Sequence, residues 1–314
     1  MTGAARGGVS PTLGAADLLQ DLPHLSAVAD VESLTLMRKP GASLSFDDLG
    51  MLAALLVERL ADTDLNGAVV VQGTDTIEET AFALDILVQS GKPVVVTGAM
   101  RPPQAAGCDG PANLLSSVIV AADAASRSRG ALVVLNDEIH AARFVRKGHT
   151  TLPSSFRSSH GPVGFVVEGQ ARFAFPASTA PGPRRESKGR FAPVALLSIA
   201  LGDDGRMIGA HREAGYKGAV VEGLGAGHVP ANLAPLLGDL ASSIPVVLTS
   251  RVQLGPTLTQ TYSFAGSEMD LLERGLISGG SLGSAKARIL LALLLGAEAT
   301  SDEIRSAFDA SAHS

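Results

Sequence analysis

The chain has 314 residues, 46% of them apolar and 18% charged, which places it among globular proteins that bury a sizeable core and excludes a disordered chain. Its formal net charge of −6, and the scarcity of rings on which bases could stack (no Trp, and only Tyr216 and Tyr262), argue against a nucleic-acid partner. A single cysteine, Cys108, excludes an intrachain disulfide and any multi-cysteine zinc site, and no apolar run reaches the ~18–20 residues that cross a bilayer. The expectation is therefore a cytoplasmic protein with no membrane partner and no metal.

In chain order, a Gly-rich opening leads to a short helix around residues 17–19, a strand over 31–37 and a loop at 40–43. A clear helix follows. Ser45 is placed to cap it, Asp47 and Asp48 sit in its positive first turn, and Leu49, Leu52, Ala53 and Leu56 recur at helical spacing. Short, continuously apolar strands are then expected at 68–71, 94–97 and 131–135, separated by helices at 78–88 and 113–122. That alternation is what a parallel sheet covered on both faces requires.

Between residues 177 and 190 the composition shifts to Pro, Gly, Ser and basic side chains, with Pro181, Pro183, Arg184 and Arg185 close together, as expected of a linker. Beyond it, strands at 194–199, 218–221 and 246–248 and helices at 232–240 and 285–295 form a second unit. Thr300 and Glu303 offer a capping box for the last helix. The fold class is thus α/β: a doubly wound, mostly parallel sheet in a larger N-terminal domain (1–176), a linker (177–193) and a smaller α/β domain (194–314).

In open parallel sheets ligands bind where loops leave the carboxyl ends of strands, which directs attention to 73–77 and 97–103. The first loop reads Gly73, Thr74, Asp75, Thr76, Ile77, Glu78, Glu79, Thr80. Gly73 permits a tight turn, and the N–H groups at the helix start suit an anion such as a substrate carboxylate. Thr74 supplies a hydroxyl, and Asp75 supplies a carboxylate for a substrate ammonium. A plainer alternative is that Thr74 or Thr76 merely caps the helix, with Glu78 and Glu79 complementing its dipole.

The stretch from Val71 to Thr80, with the Val96-Thr97-Gly98-Ala99-Met100-Arg101-Pro102 segment, resembles the second signature region of the bacterial-type L-asparaginase family. Further blocks are similar in order: Asn136 to Ile139, Ala142 and Arg143 with Lys147, His149 and Thr150, Phe156 to Ser158 with Gly161, Pro162 and Gly164, Ser250 to Val252, and Lys286 to Arg288. The resemblance covers nearly the whole chain. It implies hydrolysis of the side-chain amide of L-asparagine, or L-glutamine, to the acid and ammonia through an acyl-enzyme, without metal or organic cofactor. It implies a catalytic set of Thr74, Asp75 and Lys147, and substrate contacts from Gly73, Thr74, Asp75, Ala99 and Met100. It also implies a homotetramer built as a pair of dimers, in which Glu268 reaches the neighbouring subunit's site. A hydroxyl is a poor nucleophile without a base, and a lysine serves as one only where burial or neighbouring charge keeps part of it neutral, so Lys147 should be withdrawn from water.

The pattern also has departures. The family's Thr-Gly-Gly-Thr-Ile motif, which carries its usual nucleophile, does not occur, and Met1 to Gly8 resembles the stretch just after it. Either the start lies upstream or the chain has lost that threonine; in the second case it is a catalytically impaired amino-acid-binding relative. Gly41 stands where a serine is common, with Ser43 close but offset, and His228 stands where an asparagine is frequent. His140, His149 and His160 are too scattered for a metal spacing, and His149 either supports Lys147 or packs locally.

Overall fold

The computed structural model describes residues 2–3, 9–10, 12–20, 22, 24–177 and 189–312. The chain divides into two compact units, Met1–Pro181 and Gly182–Ser314. Most of the expected linker falls outside the described residues.

The first unit opens with a short antiparallel pair, β1 (Thr2–Gly3) and β2 (Val9–Ser10), then helices α1 (Ala15–Gln20) and α2 (Leu25–Val28). The strand expected over 31–37 does not form. An apolar run becomes a strand only where a neighbouring edge supplies the ladder, and here Val31 and Leu34 stay exposed while Thr35 Oγ1 accepts the N–H of Ala15. The loop at 40–43 tightens into a 3₁₀ turn, Gly41–Ser43.

Helix α3 (Phe46–Leu60) begins on a full capping box. Asp48 N–H donates to Ser45 Oγ at 3.2 Å, and Asp48 Oδ2 accepts the Ser45 N–H at 2.8 Å. Lys39 Nζ, 2.7 Å from Asp48 Oδ1, is the main reason that the Asp48 carboxyl lies below its ordinary value, with the Ser45 N–H adding to it.

Strand β3 (Ala68–Val71), a 3₁₀ turn Thr74–Thr76, α4 (Ile77–Leu87), β4 (Val94–Thr97), α5 (Gly110–Ala122) and β5 (Ala131–Leu135) then alternate as expected. β3, β4 and β5 are parallel neighbours. The two faces of this sheet are covered differently: Val94, Val96, Val133 and Leu135 pack with Ile77, Ala81 and Leu84 of α4 and Leu56 of α3, whereas Val95, Leu132 and Val134 pack with Val120 and Ala121 of α5. Both crossovers step the same way along the sheet yet use opposite faces. They therefore have opposite hands, so one of the two is of the rare left-handed kind.

Asn136 and Asp137, both at positive φ (55° and 60°), form a two-residue turn into β6 (Glu138–Ala141), which runs antiparallel to β5. A separate hairpin follows, β7 (Val145–Lys147) against β8 (Phe156–Ser158). The chain then returns to the main sheet with β9 (Gly164–Val167) and β10 (Gln170–Phe173), giving the order β10-β9-β6-β5-β4-β3. The parallel half is the part that alternation made legible; the antiparallel half extends it.

In the second unit, β11 (Val194–Ser198), β12 (Gly218–Gly223), β13 (Val246–Ser250) and β14 (Ile277–Ser278) form an all-parallel sheet in chain order. Its helices are α6 (Arg206–Glu213), α7 (Ala234–Ala241), α8 (Glu268–Glu273), α9 (Ser284–Gly296) and α10 (Ser301–Ala312). The helix expected over 232–240 starts as a 3₁₀ turn, Ala231–Leu233, because Pro235 sits in the first turn of α7. The capping box before α10 forms, with Thr300 N–H donating to Glu303 Oε2 at 2.8 Å.

Candidate active site

The register of the sheet builds the site. Val71 pairs with Thr97, so the loops that start at Gln72 and Gly98 leave the sheet side by side. The Gln72 N–H still donates to the Thr97 carbonyl at 3.0 Å. Backbone comes very close here: a Cβ on Gly98 would lie 2.5 Å from the Gln72 carbonyl oxygen and 3.3 Å from Thr74 Cγ2, and one on Gly41 would lie 2.7 Å from the Gly73 carbonyl oxygen. Glycine at both positions lets three segments meet at the carboxyl edge.

Thr76 does not cap α4. Its hydroxyl donates to the Gly41 carbonyl at 3.0 Å and accepts from Gln72 Nε2 at 3.2 Å, and no side chain caps this helix. Thr74 is free of capping as well, and its hydroxyl meets Lys147 Nζ at 2.8 Å. The lysine comes from the end of β7. Its side chain is 19% exposed, and its amine also reaches Asp75 Oδ1 at 3.5 Å, while the Asp75 side chain is 58% exposed and faces outward. The structure thus brings together a hydroxyl, a mostly withdrawn amine and an open carboxylate from positions more than 70 residues apart in the chain.

Ala99 and Met100, both half-buried, stand on the adjoining loop. That loop is held by two residues whose part the sequence reading did not assign. Asp109, at the start of α5, turns back instead of capping the helix, and accepts the N–H groups of Met100 (2.9 Å) and Arg101 (2.8 Å). Asn113, 2% exposed, donates from Nδ2 to the Gly98 carbonyl (2.9 Å) and to Asp109 Oδ2 (3.1 Å), and accepts the Asn136 N–H on Oδ1 (2.8 Å). The available signal was a polar amide on the buried side of an apolar helix, which demands partners.

Comparison with known proteins identifies the family. Residues 1–178 match the family model for the N-terminal domain of asparaginase, and residues 193–308 match that for the glutaminase/asparaginase C-terminal domain. The chain belongs to the asparaginase family. Among its relatives, a probable L-asparaginase of Deinococcus radiodurans is 38% identical over 81% of this chain and 78% of its own length. L-asparaginase 2 of Escherichia coli is 34% identical over 95% and 85%, and a glutaminase-asparaginase of Acinetobacter glutaminasificans is 30% identical over 93% and 88%. A solved structure, a probable cytoplasmic L-asparaginase from Campylobacter jejuni, superposes with a TM-score of 0.84 at 31% identity, covering 93% of this chain and 92% of the other.

Two other residues tied to the asparaginase resemblance, Glu268 and His228, lie in the second unit. Glu268 is fully buried at the start of α8. Oε1 accepts the N–H groups of Tyr262 (2.7 Å) and Thr261 (3.0 Å), and Oε2 faces His228 Nε2 at 3.1 Å. Burial alone would raise the carboxyl, but the Tyr262 and Thr261 N–H groups, its own N–H and His228 outweigh it, so Glu268 lies below its ordinary value. The His228 ring meets Tyr262 and Phe264 edge-on, with centroids 4.9 and 5.1 Å away.

His149 and His140 have local duties. His149 Nδ1 accepts the N–H groups of Thr151 and Leu152, closing its own turn, with no bond to Lys147 among the described contacts. His140, 1% exposed, bridges Ser158 Oγ (2.9 Å) and Glu138 Oε2 (3.0 Å). Burial pushes its pKa down and Glu138 offsets part of that. Among the described residues no group of three His, Cys, Asp or Glu side chains is arranged to hold a metal ion, and no helix is long and apolar enough to cross a membrane.

Proposed function

We propose that the chain is an L-asparaginase-type amidohydrolase, converting L-asparagine to L-aspartate and ammonia, with L-glutamine as the alternative substrate. The observation that carries this reading is the 2.8 Å contact between the Thr74 hydroxyl and the Lys147 amine, beside the open carboxylate of Asp75. The names of the relatives, asparaginases and glutaminase-asparaginases, support it.

In this reading Asp75 accepts the substrate's ammonium, and the turn at Gly73 with the loop at Ala99 and Met100 seats the rest of the small molecule. In the 314-residue chain Thr74 stands in for the family's usual nucleophile: its oxygen attacks the amide carbon while its proton passes to Lys147 Nζ. The lysine returns that proton to the leaving nitrogen, which departs as ammonia and leaves an ester on the threonine. Water then cleaves the ester, giving the acid and restoring the hydroxyl. Developing negative charge on the carbonyl oxygen is met by N–H groups at the start of the turn and helix. The reaction so written uses side chains, backbone N–H groups and water.

The same proposal includes a cytoplasmic location, which the description of the Campylobacter relative supports, and a homotetramer in which Glu268 serves a neighbouring subunit. A monomer of full activity by light scattering would remove the latter part. The direct test is ammonia release from L-asparagine and L-glutamine, measured on the 314-residue chain and on any longer form its coding DNA specifies. Turnover supports the reading; calorimetric binding of aspartate without turnover by either form would replace it with an amino-acid-binding role.

A further inference from the structure

Lys147 must hold its amine at one height beside Thr74, yet it ends a two-stranded hairpin that lies outside the six-stranded sheet. Within that hairpin it is paired with Phe156, and Phe156 and Val145 lie in the buried core with Ile77, Ala81 and Leu84, which anchors the hairpin's apolar face but does not tie the lysine's own backbone to the site. The tie comes from α4. The backbone N–H of Lys147 donates to Glu78 Oε2 at 2.5 Å, a charge-assisted bond from a half-buried carboxylate in the helix's first turn. Glu78 stands four residues beyond Thr74. A single stretch, 74–78, therefore grips the lysine twice, by the tip through Thr74 and Asp75 and by the main chain through Glu78.

A purely electrostatic duty at the helix start would not need this contact, because Glu79 occupies the same first turn and complements the same dipole. We propose that Glu78 is a positioning residue for the reaction: its carboxylate anchors the backbone of Lys147 and so sets where the amine meets the Thr74 hydroxyl. Glu78 acts through Lys147 and touches no reacting atom. The inference rests on the catalytic role given to Lys147 above, and its consequence is specific. Substrate seating, which falls to Asp75 and the Gly73 and Ala99 loops, is left intact when the anchor is lost, while proton transfer suffers, since an error of about 1 Å in such geometry costs about 10²-fold in rate.

The experiment compares Glu78→Ala with Glu78→Gln, whose amide oxygen still accepts an N–H. Two readouts are taken: steady-state ammonia release, and hydrogen exchange at the Lys147 amide, resolved by mass spectrometry with electron-transfer fragmentation. For Glu78→Ala the expectation is a fall of about 10²-fold in kcat with KM within about twofold, together with at least tenfold faster exchange at Lys147. Glu78→Gln should keep exchange near wild type and recover most of kcat. Unchanged exchange at Lys147 in Glu78→Ala overturns the proposal, as does an equal loss in both variants that tracks lowered melting temperature. Should the parent chain release no ammonia, the functional reading fails, and the exchange comparison alone still decides whether Glu78 anchors Lys147.

Discussion

Each unit contains a run of parallel apolar strands, β3 to β5 in the first and β11 to β14 in the second, and their carboxyl ends have been put to different uses. At the ends of β3 and β4 the polar groups are left open, with a free-facing carboxylate on Asp75 and a hydroxyl and an amine in mutual contact. At the ends of β12 and β13, an open cleft is walled by Val252, Leu254, Pro256 and Leu258, and the Ser250 hydroxyl is spent on the Gly225 carbonyl. The second unit's striking carboxylate, Glu268, has its oxygens engaged by two backbone N–H groups and an imidazole. The exposed carboxylate of Asp75 is open to a ligand directly, whereas that of Glu268 is held in one place by its own chain, which fixes the position from which its proposed service to a neighbouring subunit would act. Strands alone do not make a site; what matters is whether a later segment returns a complementary group to the sheet edge, as the β7–β8 hairpin does with Lys147.

The sharpest way to break this contrast is through activity. Lys147→Ala should lower kcat for ammonia release by on the order of 10³–10⁶, the cost of removing one member of a cooperating catalytic set. Turnover unchanged in that variant would end the claim that the first sheet's edge is the reactive one. Stability should show the reverse ranking. Glu268→Ala, which strands the Tyr262 and Thr261 N–H groups, is expected to cost about 1–3 kcal/mol in urea unfolding, whereas Asp75→Asn, at an exposed side chain, should stay within about 0.5 kcal/mol while losing activity. Equal destabilisation by both would mean that Asp75 is structural after all.

Asn113→Ala probes the scaffold beneath the open site. It leaves the Gly98 carbonyl and the Asn136 N–H without their partner, for an expected loss of about 1–3 kcal/mol, and it loosens the Ala99–Met100 loop, so KM should rise. A variant with unaltered melting temperature and KM would show that Asp109 suffices to hold that loop.

The smallest effect concerns pH. Because burial lowers the His140 pKa below its ordinary 6.5, the unfolded chain takes up a proton through that range while the folded chain does not. Stability from this residue is thus full above 6.5 and declines as pH falls toward the folded value. Glu268, depressed below 4.5, contributes stability that is lost only at more acid pH, as it is protonated through its lower folded value. Unfolding measured at about pH 7.5 and 5.5 therefore brackets the range in which His140 acts, and the difference between the two should shrink in His140→Asn. A slope that persists in the variant would assign the effect elsewhere.

The parallel strands other than the two-residue β14 were legible because their residues are continuously apolar and bounded by Gly and polar turns, and the α3 and α10 caps because a side chain three residues on completes each box. The strand at 31–37 misled for a physical reason: its composition suits a strand, but pairing depends on a neighbour that no local pattern reveals. For the site, Thr74, Asp75 and Lys147 were recognisable through the ordered motif blocks. Asp109 and Glu78 were not, since each reads locally as an ordinary residue of a helix start, and Asn113 offered only the signal of a polar amide on an apolar helix.

By itself, then, the order of amino acids determined the alternation of strands and helices, the family and the residue types able to do the chemistry, because these follow from periodicity, turn propensity and motif. Only the tertiary structure decided that Thr76 bonds Gly41 instead of capping α4, that Glu268 is buried while Asp75 is exposed, and that a hairpin brings Lys147 to within 2.8 Å of Thr74. Those outcomes depend on register, crossover hand and close glycine contacts, which join segments far apart in the chain and so leave no local trace.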